Sequence, residues 1–179
     1  MKKLTVLLIV TGFIFLTSCA TTTTTPTKDI KISTESDPKV QLNGYKTFAW
    51  LASAEVLYDP KGQWEPSNVD IDSELEWLIG RELRSKGLTQ VGENPDVMIA
   101  YMAGVDMAAK EIVKDSEQQL DVLKNVPKAA LVVVMIDSAT GNPVWGGVAV
   151  GDVSADRTET SIRDRLDYAV TGMFKKMKY

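Results

Sequence analysis

The side chains able to do covalent chemistry are few. One cysteine, Cys19, stands in the stretch Leu16-Thr17-Ser18-Cys19-Ala20, at the end of an apolar run and just before five threonines. A thiol is far more nucleophilic than the hydroxyls around it, so Cys19 is suited to alkylation where its neighbours are not. Ser138 and Thr140 flank a turn, but the chain contains no histidine to take a proton from either. Asp152 and Asp156 are of the type that does paired acid–base work, although loop acids are ordinarily just solvated. Asp70, Asp72 and Glu74 have the D-x-D-x-E spacing that opens a calcium loop. The glycine and the closing bidentate glutamate of such a loop are not in place, and Ile71 and Leu75 between the acids belong to an apolar stripe. These residues lead to the expectation of a protein that is not an enzyme and holds neither metal nor cofactor.

Composition narrows the classes further. Apolar residues make up 44% of the 179 and charged residues 25%, as in a packed domain rather than a disordered chain. The formal charge is -4. Without Lys2 and Lys3, 18 basic groups face 24 acidic ones, a net of -6. Phosphate binding needs a basic face, so no nucleic-acid partner is expected. The missing histidine also removes the commonest general base and the usual zinc ligand.

Met1 to Ser18 has the layout of a signal peptide, with Lys2 and Lys3 ahead of the greasy stretch from Leu4 to Leu16. Those thirteen residues would reach about 20 Å as a helix, short of the roughly 30 Å hydrocarbon core, so removal fits better than spanning. Leu16-Thr17-Ser18-Cys19 resembles the lipobox of bacterial lipoproteins. That resemblance implies cleavage between Ser18 and Cys19, a diacylglycerol on the Cys19 sulfur, and a membrane partner held through acyl chains. Two or more chains anchor firmly where one holds only marginally. Ala20 stands where an aspartate would mark inner-membrane retention, which implies the outer membrane. Residues 19–29, with Thr21 to Thr25 and Pro26, are too polar and repetitive to bury a surface, and are expected to be a flexible tether.

Residues 30–179 are expected to form one domain. Alternating Ile30 and Ile32 and then Gly44 to Trp50 suggest strands, and Leu51 to Ser67 reads as a long connection turning at Asp59-Pro60-Lys61-Gly62. The spacing of Ile71, Leu75, Leu78, Ile79 and Leu83 predicts a helix over 69–86, capped by Asn68 and stopped by Gly87. Asp96 to Val105 and Ala129 to Asp137 are continuous apolar runs, expected to be central strands covered on both faces. Asp106 to Val126 permits a helix, a loop or a flap. Gly141-Asn142 suits a tight hairpin, and Gly146, Gly147 and Gly151 suggest close approach of another element to a strand. A second apolar stripe from Ile162 through Met177 predicts a helix over 158–178. Two amphipathic helices on a mixed or antiparallel sheet make the class α+β.

The order of "DPKVQLNGYKTFAW", a helix ending "LRSKGL", "NPDVMIAY" and "DSATGNPVWGG" resembles domain-of-unknown-function family 4136, small lipoproteins largely of double-membraned bacteria. The resemblance implies fold and anchoring and brings no catalytic residue. The expectation is a partner-binding or scaffolding module of the cell envelope, facing the periplasm, with an envelope protein or the cell wall as partner. Tyr58 and Trp64, aromatics in the long connection, are the candidate contacts. The alternative is a carrier holding a small apolar ligand or lipid between helices and sheet, covered by the 106–126 segment.

Overall fold

A computed structural model describes residues 27–115, 117 and 120–179. Ser18, Cys19 and most of the tether therefore lie outside the described residues. Eight strands and two α-helices follow in the order β1 (Lys31–Ser36), β2 (Thr47–Tyr58), α1 (Ile71–Ser85), β3 (Thr89–Gln90), β4 (Val97–Asp106), β5 (Lys110–Lys114), β6 (Asp121–Asn125), β7 (Lys128–Asp137), β8 (Pro143–Asp152) and α2 (Glu159–Lys176), with a 3-10 turn at Leu42–Gly44 before β2. Six strands form one mixed sheet in the order β1-β8-β7-β4-β2-β3, while β5 and β6 pair as a separate hairpin. Among the described residues, only β4 with β2 and β2 with β3 run parallel. The α+β class and the single domain are as the sequence implies.

Both helices form for reasons visible in their ends. Asp70, rather than Asn68, caps α1, its Oδ1 accepting the Ser73 N–H at 3.0 Å. Val69 is buried ahead of the helix, and the chain turns into it two residues later than the spacing suggests. At the other end Gly87 takes φ +84°, and the Gly87 and Leu88 N–H groups donate to the Arg84 and Leu83 carbonyls. That is a Schellman stop, which a side chain at position 87 would strain. Thr158 caps α2 by accepting the Ser161 N–H.

The helices share a single core with one face of the sheet. Leu75, Leu78, Ile79 and Leu83 of α1 join Ala169, Val170, Met173 and Phe174 of α2 over Phe48, Ile99, Val133, Met135 and Trp145. Between the helices, Arg81 pairs with Asp167 at 2.7 Å and donates to Thr171, and Arg163 pairs with Glu74. β4 and β7 are central, as expected, and lie side by side, but helices cover only one of their faces. On the other face of the sheet, Met102 of β4 and Val148 and Val150 of the neighbouring β8 are exposed. A continuous apolar run records hydrophobicity without recording which face is packed.

Two further readings are corrected. The strand starting near Gly44 does not end at Trp50. β2 continues to Tyr58 along β4, interrupted by a bulge between Trp50 and Ala52. The segment between β4 and β7 is the β5–β6 hairpin, with Ile112 opposite Leu123.

Candidate functional site

Large residues fill the helix face of the sheet at one end only. Val97, Ile99, Val133, Met135 and Trp145 occupy the end where β4 starts, whereas Ala103, Ala129, Ala149 and Gly151 occupy the other. Backbone register places these small residues on neighbouring strands, with Ala103 opposite Leu131 and Ala129 opposite Gly151. Above them stand Ile71 at the start of α1 and Ile162 and Leu166 at the start of α2. Residues without side-chain bulk below and opening helical turns above leave a cavity of about 280 Å³ with an apolar lining.

Trp64 forms part of the cavity wall. Its position follows from the Asp59-Pro60-Lys61-Gly62 turn, where Gly62 takes φ +63° and Asp59 Oδ2 accepts the Trp64 N–H at 2.6 Å. That bond holds the Asp59 carboxyl below its ordinary pKa. The Arg157 guanidinium lies 3.9 Å from the centre of the indole ring and donates to the Glu65 carbonyl, so loop 59–70 is fastened to the loop before α2. Tyr58 sits at the same end, 57% exposed. Leu57 lines the cavity, and strand alternation turns Tyr58 to the opposite face. The two aromatics thus share one end of the molecule without sharing one pocket.

Two of the rim charges, Arg165 and Asp152, are held in ion pairs. Arg165 grips Asp29 through two bonds of 3.0 and 2.6 Å and donates to the Asp152 carbonyl, while Asp29 also accepts the Asp152 N–H. The Arg165 bond, opposed by partial burial, brings the Asp29 pKa down to about 2. Lys128 bridges Asp152 at 2.5 Å and Glu111 of β5 at 2.6 Å, fixing the base of the hairpin beside the cavity.

The other reactive candidates are elsewhere or otherwise engaged. Asp156 accepts the Thr158 N–H at the start of α2, and Asp72 accepts the Tyr101 hydroxyl at 2.6 Å. Ser138 and Thr140 lie in the β7–β8 turn, at the far end of the sheet from the cavity. Among the described residues, no group of three or more cysteines and carboxylates is placed to hold a metal ion. Of the three clustered glycines, Gly147 and Gly151 meet close neighbours, while Gly146 does not. The cavity floor went unread in the sequence, although Ala103, Ala129, Ala149 and Gly151 are a signal of missing bulk at matching strand ends.

The family model for the domain of unknown function DUF4136 matches residues 32–177. The chain belongs to this family. A crystal structure of a DUF4136 family protein from Bacteroides thetaiotaomicron superposes with a TM-score of 0.54 at 11% identity, covering 83% of this chain and 95% of that one. A PDZ domain protein from Parabacteroides distasonis gives a TM-score of 0.50 at 18% identity over 84% of this chain. This chain spans only 36% of that protein. A minor lipoprotein from Acinetobacter baumannii is similar at a TM-score of 0.36 and 13% identity, over 74% of this chain and 92% of its own. No curated protein matches the chain. At these identities the similarity is one of fold.

Proposed function

We propose that this DUF4136 member is a non-enzymatic module of the cell envelope, anchored to the outer membrane by acyl chains on Cys19, that binds a partner by receiving its apolar anchor in the cavity beside Trp64. The observation that carries the reading is the cavity itself, apolar, walled by an aromatic on a braced loop, with Arg165 at its rim already paired to Asp29. Its volume favours one occupant: small-molecule sites run to roughly 300–1,000 Å³, so about 280 Å³ suits one bulky side chain better than a two-chain lipid.

A carrier of a short single-chain apolar ligand is the second reading, favoured by the same lining. Its cover would be loop 59–70 with Trp64, because the 106–126 segment forms a hairpin beside the cavity instead.

In-cell crosslinking with mass-spectrometric identification tests the proposal. One or two envelope proteins should be captured by the native chain, and Trp64→Ala should reduce capture about tenfold while the far-ultraviolet spectrum stays native. If nothing is captured and native mass spectrometry of the delipidated protein shows a bound lipid, the partner reading falls and the carrier reading replaces it. The anchor is tested separately: Cys19→Ser should abolish incorporation of labelled palmitate, and an unmodified N-terminal mass in the native protein would overturn it.

A further inference from the structure

The two edges of the large sheet differ. β1 ends one side with six residues that include Lys31 and Glu35, charges of the kind that discourage strand addition. On the other side β3 covers β2 only at Thr47 and Phe48, so Ala49 to Tyr58 borders no further strand. Leu51 through Tyr58 are exposed without a break, with Leu51, Val56 and Leu57 each at 51%. Glu55 is the one charge in that stretch. A long, weakly charged, apolar free edge is a template for another strand.

The direction of the backbone groups defines how a strand can add. The Phe48 carbonyl points outward, accepting the Val91 N–H, whereas the Tyr58 carbonyl points inward, accepting the Met107 N–H from the β4 side. Both numbers are even, so the bulge between Trp50 and Ala52 has reversed the alternation. After it, Ser53, Glu55 and Leu57 turn their N–H and C=O groups outward.

We infer that the free edge of β2 pairs antiparallel with β2 of a second copy, about a two-fold axis at Ala54. This register sets Ser53 opposite Glu55 of the other copy twice, and those pairs exchange backbone hydrogen bonds. It sets Ala52 opposite Val56 and Ala54 opposite Ala54, and it brings Leu57 beside the partner's Leu51 at the bulge. Centring on Glu55 instead would face carboxylate against carboxylate. The Ala54 register sets each carboxylate opposite a small neutral serine instead of a second carboxylate and puts the smallest side chain on the axis, a self-complementarity that argues for a second copy over an unrelated strand. Pairing consumes both β2 edges, and the same two-fold contact cannot be repeated, so assembly through this edge closes at a dimer.

Three variants of the full chain in detergent test the inference. In a Cys19→Ser background, Ala54→Cys should form a disulfide-linked dimer on mild oxidation, since residues facing each other at a non-hydrogen-bonded position are about 4.5 Å apart at Cα, within disulfide reach. Ser33→Cys on β1 should remain uncrosslinked. Glu55→Pro removes an outward N–H and spares the β2–β4 ladder, so it should sediment as a monomer where the parent sediments as a dimer at about 10 μM. A monomeric parent at 100 μM, or an Ala54→Cys chain that fails to crosslink, overturns the dimer. An unchanged dimer in Glu55→Pro overturns the β2 edge as its site. Should Glu55→Pro not fold, the two cysteine variants decide.

Discussion

Asp29 shows how much can depend on one carboxylate. It joins the chain just ahead of β1 to Arg165 of α2 and to the backbone at Asp152. With a pKa of about 2 in the fold and an ordinary value near 3.8 unfolded, it stabilises the protein fully above about pH 4 and loses that contribution as pH falls toward 2. Asp29→Asn should therefore cost about 1–2 kcal/mol at pH 7, seen in urea unfolding, and the gap from the native chain should close on titration from pH 4 to pH 2. Ala129 makes the complementary test, because it lies on the cavity floor. Ala129→Leu should leave the thermal midpoint unchanged or raise it, as the space accepts the added carbons, yet abolish partner capture. A fall of several degrees with capture intact would show that the space is not the binding site. The Asp29–Arg165 pair is not legible in sequence, because it joins residues 136 apart, and the cavity leaves only the small residues of its floor, whose meaning depends on a strand register that the sequence does not show.

Among the elements, the helices were legible and parts of the sheet were not. Leu75, Leu78, Ile79 and Leu83 repeat on one face because a helix laid on a sheet buries one stripe, and all four are buried. The second half of β2 reads as a connection because Leu51 to Tyr58 is exposed on both faces, so no alternation of polar and apolar residues marks it. The β5–β6 hairpin escaped for a related reason: Ile112 and Leu123 are 71% and 63% exposed, and no packed face imposed a pattern. Such a hairpin contributes little to the core. Asp106 and Lys128 are direct partners in the β4–β7 register, so residues 107–127 can be replaced by a two-residue Asn-Gly turn. The shortened chain should lose less than about 1 kcal/mol, or about 2–4 °C, by calorimetry. Gly147 is different. A Cβ there would stand 2.7 Å from the Met173 sulfur and 3.0 Å from the Trp145 ring, so Gly147→Ala should cost about 1–3 kcal/mol as α2 is pushed off the sheet.

For the molecule as a whole, the shared core predicts one cooperative transition, with helix and sheet signals melting together, since neither layer has a core of its own. The point at which the chain enters that body also has a directional result. Asp29 and Ile30 stand at the cavity end, far from the β7–β8 turn, so the chain ahead of β1 joins the body from the cavity side. Were the sulfur of Cys19 held in a bilayer, as proposed, the cavity end would be the one nearest the lipid. Visitors that already work close to that surface would then find the opening more readily than those free in the surrounding water.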